Sequence, residues 1–327
     1  MFALEDKWIW DFWTVRDGQT WHMFFLQADK SLGNPDLRHW NVSIGHATSL
    51  DLKSWNYLGT CFAPAATPAW DDYTTWTGSV IQADDGLWHF FYTGTSHADQ
   101  GMKQRIGHAT SKDLHNWQRC GEGLCLDIDP TLYEEHRPGF WHDRAFRDPW
   151  VIKNPEGHGW WMFITTRIPN HIEANASGAI GLATSQDLYH WQLQAPVYAG
   201  GHFGQLEVPQ VQKIGTNWYC VFATTGNFWS HQYTAHYGAE ADGGSHYLIA
   251  SNPKGPWKIA EGKFLDGTPH CARYSGKIII TDEGPVYLAF ENNTKDGCFI
   301  GSICDPVPVL VAQDGTLTLA EKYERTA

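Results

Sequence analysis

Short apolar runs rich in aromatic and β-branched residues recur along the chain, each introduced by turn residues, and no segment sustains the 3.6-residue apolar period of an amphipathic helix. The runs beginning at Trp21, Trp88, Trp160, Trp218 and Val286 read as strands. A second element follows them and repeats. Ser43-Ile44-Gly45-His46-Ala47-Thr48-Ser49-Leu50-Asp51-Leu52, closed by Trp55, returns as Arg105-Ile106-Gly107-His108-Ala109-Thr110-Ser111-Lys112-Asp113-Leu114, closed by Trp117. It returns again as Ala179-Ile180-Gly181-Leu182-Ala183-Thr184-Ser185-Gln186-Asp187-Leu188, closed by Trp191. A weaker fourth copy runs from Leu248 to Pro253 and closes on Trp257, and Ile300-Gly301-Ser302-Ile303 is a degenerate fifth. The closing tryptophans lie 62, 74 and 66 residues apart, so 327 residues hold five such units. Five similar all-β units predict a single-domain, five-bladed β-propeller over residues 1–327, with its ligand site where the inner strands converge on the axis.

Composition narrows what such a site would hold. The chain has 23 Lys and Arg against 36 Asp and Glu, a formal charge of −13, which argues against nucleic acid or an anionic membrane as partner. It carries 18 Trp, 13 Tyr and 16 Phe, an aromatic excess suited to the apolar C–H faces of a sugar, whose hydroxyls seek carboxylates. The repeats qualify this, because Trp55, Trp117, Trp191 and Trp257 are expected to pack between blades rather than to touch a ligand. The seven cysteines are scattered with no Cys-x-x-Cys pair and read as free thiols. The first residues show no basic and apolar leader, so the expected location is cytoplasmic, and the Asn-x-Ser/Thr triplets at Asn41, Asn175 and Asn292 are read as chance.

Equivalent positions in the units locate the candidate chemistry. Counting back 10 to 12 residues from the first aromatic of the second strand lands on Asp11 in unit 1, Gly78 in unit 2, Asp148 in unit 3 and Glu207 in unit 4. Three carboxylates from three blades should therefore meet in one funnel. Desolvation and mutual repulsion make such a cluster costly, so stability alone does not account for it. Like charges held close push their pKa values apart, leaving one acid protonated to serve as general acid and another ionised to attack or stabilise a cation, the equipment of a glycosidase.

The stretch from His22 to Gln27, the segment from Trp40 to Trp55, Trp76-Thr77-Gly78-Ser79 and Phe146-Arg147-Asp148-Pro149 together resemble the β-fructosidases of glycoside hydrolase family 32 and their relatives in family 68, over about the first 225 residues in motif order. Blade 5 adds only length to this likeness. The resemblance implies a retaining double displacement on β-fructofuranosides such as sucrose or fructo-oligosaccharides, with fructosyl transfer as a variant. It implies Asp11 as nucleophile, Glu207 as general acid/base and Asp148 as an ionised stabiliser that holds sugar hydroxyls. Arg147, Trp76, Ser79 and Gln27 would bind the sugar, and Trp10 and Trp13 would line the floor or rim, with Trp150 a further candidate. No metal or cofactor is implied. Trp10-Asp11-Phe12-Trp13 and Glu207-Val208-Pro209-Gln210 depart from the commoner invertase patterns toward the levansucrase form, and the C-terminal β-sandwich of family 32 is not expected in this chain.

Two other readings stand beside this one. Family 43 propellers also carry Asp, Asp and Glu on blades 1, 3 and 4 but invert and act on arabinosides and xylosides. Some hold an axial metal near a blade-5 histidine, a part His270 would play unless it is a hydrogen-bonded core or rim residue. The other reading is a propeller that binds a sugar without turnover. Segments 127–146 and 227–246, rich in acids, aromatics and histidines, either overhang the funnel or lie solvated on the surface. A small sugar or oligosaccharide is the expected partner, and a second copy of the chain is a further one.

Overall fold

Each of the five aromatic runs is a second strand in an antiparallel sheet. The computed structural model describes residues 1–238 and 241–320; Glu240, within the second polar segment, and residues 321–327 lie outside the described residues. Blade 1 comprises β1 (Lys7–Asp17), β2 (Thr20–Asp29), β3 (Ser43–Ser49) and β4 (Asn56–Phe62), in that order. Blade 2 follows with β5 (Thr74–Gln82), β6 (Trp88–Thr95), β7 (Arg105–Ser111) and β8 (Gln118–Leu126), and blade 3 with β9 (Phe146–Lys153), β10 (Trp160–Arg167), β11 (Gly178–Ser185) and β12 (Trp191–Tyr198). Blade 4 contains β13 (Glu207–Ile214), β14 (Asn217–Thr224), β15 (Gly243–Ala250) and β16 (Lys258–Ile259), with β17 (Asp266–Thr268) also paired to β15. In blade 5, β18 (Arg273–Thr281) and β19 (Gly284–Asn293) are followed by β20 (Phe299–Ile303), β21 (Val307–Val311) and β22 (Leu317–Leu319).

The first strands, β1, β5, β9, β13 and β18, contact one another around the axis, which makes the fold the expected five-bladed propeller. The ring closes where Phe2 pairs with Ile303 of blade 5, with 2.8 Å N–H···O bonds in both directions. The fourth repeat copy falls on β15 and the degenerate fifth on β20, as their spacing requires.

The repeated turn has a local cause. Ser49 Oγ accepts from Leu52 N at 2.9 Å, and Asp51 Oδ1 accepts from Lys53 N and Ser54 N at 2.8 and 2.7 Å. Leu52 takes φ +61°, a left-handed conformation repeated by Leu114 at +63° and Leu188 at +67° in the other two strong copies. The turn aims the closing tryptophan back at the sheets. Trp117 packs on Phe24 of blade 1 and Phe90 of blade 2, at 5.8 and 5.3 Å between ring centroids, and Trp191 packs edge-on against Phe91 of blade 2 at 5.3 Å. These tryptophans belong to the packing, as the repeat implied.

The histidines of the repeat are also packing groups. His22 Nδ1 and His46 Nε2 share a hydrogen bond of 2.9 Å, His46 stacks on Phe24, and His115 of blade 2 lies against both histidines. Blade 2 repeats the arrangement with His89 and His108, 2.9 Å apart, His108 stacked on Phe91 and Tyr189 of blade 3 beside the pair. Blade 3 carries Leu182 at the equivalent place and keeps the turn. Among the described residues one short α-helix, beside brief 3-10 turns, interrupts the all-β pattern: α1 (His231–Tyr237), capped by Ser230 Oγ, which accepts from Tyr233 N at 3.1 Å. It lies in the segment read as loop and buries Tyr233. All seven cysteines are free, with Cys220, Cys271 and Cys304 buried and Cys298 exposed.

Burial holds His46 and His108 neutral, pulling each from 6.5 down to about 3, and lowers His22 and His89 in the same way. The unfolded histidines protonate near 6.5 whereas the folded ones resist, so their contribution is intact above that pH and is lost between 6.5 and about 3. Each such histidine withdraws about 1.4 kcal/mol per pH unit across its window. Urea denaturation at pH 7, 6 and 5 should show falling stability, and replacing His46 and His108 together by Leu, as blade 3 does naturally, should flatten the slope. A wild-type stability constant over that range would contradict this account.

Candidate active site

The site is assembled by an irregularity shared by the five inner strands. Register slips between Trp10 and Phe12 in β1, between Trp76 and Gly78 in β5, and opposite Ile164, Phe222 and Ala289 in the pairings of β9, β13 and β18. The extra residues are Asp11, Thr77, Asp148 with Pro149, Val208 with Pro209, and Ser275 with Gly276. A bulge bends its strand and re-aims a side chain, here toward the axis. Asp11, Asp148, Val208 and Ser275 take φ of +28°, +57°, +48° and +51°, a region L-residues seldom occupy.

Asp11 joins blade 1 to both neighbours: its carboxylate accepts from Thr77 Oγ1 at 2.9 Å and from Ser275 Oγ. Asp148 Oδ2 accepts from Thr165 Oγ1 at 2.9 Å and from Val208 N at 3.0 Å, with Arg147 Nε at 3.6 Å. Glu207 Oε1 accepts from Arg147 Nη2 at 2.8 Å, and its Oε2 from the Tyr274 hydroxyl at 2.5 Å. Burial pushes Asp148 up to about 7, with Arg147 opposing and Glu207 and Asp11 adding to the rise. Burial likewise raises Asp11, against the hydrogen bonds from Ser275 and Thr77. Burial thus works against the ionised form in which the sequence reading expects Asp148. Arg147 is 6% exposed, and Glu207, Asp143 and Asp148 hold it protonated against burial.

These groups open into one cleft of about 1150 Å³, which Trp10, Trp76, Arg147 and the three carboxylates all line. Among the described residues no group of three or more His, Cys, Asp or Glu side chains is placed to hold a metal. Compared with known proteins, residues 13–295 match the N-terminal domain model of glycosyl hydrolases family 32. The chain belongs to that family. It is 26% identical over 365 residues to an extracellular sucrase of Zymomonas mobilis, an alignment covering 98% of this chain and 83% of that protein. It is 28% identical over 219 residues to a sucrose-6-phosphate hydrolase of Pediococcus pentosaceus, covering 64% of this chain and 37% of the other. Its fold is similar to that of an inulosucrase from Halalkalicoccus jeotgali bound to kestose, with a TM-score of 0.77 at 20% identity, covering 98% of this chain and 92% of that one.

The family 32 match starts two residues after Asp11, so the placement of Asp11 rests on its bulge. Four of the residues expected at the sugar site lie off the cleft lining. Trp13 is fully buried, its ring stacked between Phe24 of blade 1 and Phe90 of blade 2 at 6.1 and 5.4 Å, so it fills the space between the two blades. Gln27 faces away from the cleft because Leu26, its neighbour on the alternating strand, faces into it. Its amide instead donates to Thr60 Oγ1 at 2.8 Å and accepts from the Tyr57 hydroxyl at 2.8 Å. Ser79 is buried and its Oγ accepts from Val151 N at 3.1 Å, tying β5 to β9. Trp150, whose Nε1 donates to Val211 O, also lies off the cleft lining. His270 sits in the loop before β18, its carbonyl accepting from Asn293 Nδ2 at 3.3 Å.

Two offsets separate the cleft of this family 32 chain from the count along the sequence. The bulge residue of β13 is Val208, and Glu207 reaches the cleft from the position before it; in β5 the bulge residue is Thr77 and not Gly78. Blade 5 contributes more than length, since Tyr274 and Ser275 bind Glu207 and Asp11. The same count from Val286 lands on residues 274–276, so the signal was present but the segment offers no carboxylate. Of the two polar segments, 127–146 buries Tyr133 and the Glu134–Arg167 pair and brings only His142 and Asp143 to the cleft, whereas in 227–246 Trp229, Tyr233 and His246 are core residues.

The Asp148 titration is open to a direct check. In protein labelled with ¹³C at aspartate carboxyls, and assigned with Asp148→Asn, the Asp148 signal should titrate near 7. Arg147→Met should move it higher, because the guanidinium opposes the rise. No movement would mean that Arg147 does not act on Asp148.

Proposed function

We propose that the chain is a retaining β-fructofuranosidase acting on sucrose or short fructo-oligosaccharides. The observation that carries this reading is the meeting of Asp11, Asp148 and Glu207, from three blades, in a single cleft whose remaining partners leave each carboxylate in a different environment. Asp11 attacks the anomeric carbon of the fructosyl unit. Glu207 gives its proton to the departing oxygen as that C–O bond breaks, leaving an ester on Asp11. In the second step Glu207 takes a proton from water, whose oxygen attacks the anomeric carbon and releases the Asp11 carboxylate. Arg147 and Tyr274 both donate to the carboxylate form of Glu207, the form this second step needs.

Asp148, bound by Val208 N and Thr165 Oγ1, serves as acceptor for sugar hydroxyls. Trp76, held by its Nε1 bond to His39 O at 2.8 Å, supplies a ring face, and the buried Trp10 backs the cleft wall. The cleft volume exceeds the range of about 300–1,000 Å³ usual for small-ligand pockets, which suits a substrate of more than one ring. The names of the sucrase, the sucrose-6-phosphate hydrolase and the kestose-bound inulosucrase point to the same substrate class.

Asp11→Asn and Glu207→Gln should each lower kcat on sucrose about 10³-fold or more while the protein keeps its circular dichroism and melting transition. Run in aqueous methanol, the wild type should yield methyl β-fructofuranoside, the retained anomer. The α anomer would replace this mechanism with an inverting one, and a cleft that binds sucrose by calorimetry without forming product would make the protein a binder.

A further inference from the structure

A lysine lies beneath the ring of bulges and no step of the reaction uses it. Lys277 follows the β18 bulge, is 3% exposed, and its Nζ donates to the Val208 carbonyl at 2.6 Å. No ion pair among the described residues includes it, although the Trp150 ring lies 5.8 Å away. A buried ammonium with one hydrogen bond and no carboxylate in contact is a poor stabilising device, since the ion loses hydration that a single carbonyl does not replace. Its position gives it another use.

Val208 is a β-branched residue at φ +48°, a conformation that persists only when its surroundings hold it. Both of its peptide groups are held. Its N–H donates to Asp148 Oδ2 at 3.0 Å, and its C=O accepts from Lys277. Glu207 is the residue before it. The charged groups that face Lys277 from the surrounding strands are Asp11 on β1 and Asp148 on β9, with the Cys220 thiol on β14. Across the sheet β19 opposes it with Leu288, and β15 meets β18 with Ser245, which accepts from Gly276 N, so neither strand adds charge at this level. Arg273, further along β18, is paired to Asp266 of β17. Burial draws Lys277 down to about 8 against the fields of Asp11 and Asp148, so it is a cation at neutral and acidic pH.

We propose that Lys277 is a positioning residue for the reaction: it pins the blade-4 bulge that carries Glu207 and the Val208 N–H bound to Asp148, and it sets a positive charge under Asp11 and Asp148. This rests on the glycosidase reading for its kinetic arm only. Lys277→Met keeps the length and removes both the bond and the charge; Lys277→Gln keeps a donor and removes the charge. With sucrose, Lys277→Met should lower kcat about 10-fold or more with KM changed less than about threefold, and the acidic limb of its kcat/KM profile should move up by about one pH unit, since the carboxylates lose their counter-charge. Lys277→Gln should shift that limb similarly with a smaller loss of kcat.

Independently of any activity, the ¹³C carboxyl signal of Asp148 should titrate higher in both variants than in the wild type. If Lys277→Met does not fold, Lys277→Gln with the same titration decides the matter. Folded variants whose limb and Asp148 titration stay within about 0.2 pH unit of the wild type would overturn the assignment. A wild type that cleaves no fructoside would defeat the glycosidase reading, while the titration would still decide the role of Lys277.

Discussion

A strand in regular register shows alternate residues to the two faces of its sheet, and in a propeller both faces are covered by neighbouring blades. Nothing in that geometry points a side chain along the axis. The five bulges supply what the regular strands cannot, and the candidate site depends on them. They carry a backbone penalty, since four of the five turn an L-residue into positive φ. The same residues then bond to one another across blades: Asp11 to Thr77 and Ser275, and Asp148 to the Val208 N–H. Interactions that close the ring at its centre are thus the ones that hold the cleft carboxylates, and the strain and the candidate site are maintained together.

Electrostatics sets the second constraint. Burial and Glu207 raise both Asp11 and Asp148, and Asp11 adds to the rise of Asp148, so the cleft would drift toward neutral acids if no cation balanced it. Arg147 enters from the side, between Glu207 and Asp148, and also approaches Asp143 at 3.5 Å. Lys277 enters from below. The two cations differ in kind: the guanidinium forks between carboxylates, whereas the ammonium binds a backbone carbonyl and acts on the acids through space.

The outer parts of the blades were legible because their causes are local. A Ser-x-Asp-Leu turn with a left-handed leucine and a closing tryptophan needs only its own residues, so it repeats in the sequence wherever it repeats in space. The blade number and the convergence of Asp11, Asp148 and Glu207 followed from that spacing, whereas the additional strands β17 and β20 of blades 4 and 5 did not. What the spacing could not carry was the bulge, because one extra residue changes which side chain faces where. Val208 holds the axial place that the count gave to Glu207, and Leu26 faces the cleft where Gln27 was expected. Blade 5 was passed over for a different reason: Tyr274, Ser275 and Lys277 are ordinary strand residues until the fold sets them against the acids.

The propeller is symmetric in its backbone and asymmetric in its chemistry, and the difference sets the three carboxylates apart. Five equivalent bulges present Asp, Thr, Asp, Val and Ser toward the axis. Asp11 has hydroxyl donors on both sides, a setting that binds the carboxylate yet leaves it uncompensated by any contacting cation. Asp148 has a peptide N–H and a guanidinium nearby, a setting that fixes its direction. Glu207, one step off the ring, is the only one of the three held by both a guanidinium and a phenol. In the reaction proposed above, the anomeric carbon would lie over Asp11, with its hydroxyls toward Asp148 and its departing oxygen toward Glu207. That order follows from which neighbour each bulge happens to meet, and a carboxylate moved to the Thr77 or Ser275 position would occupy the same backbone place without the same company.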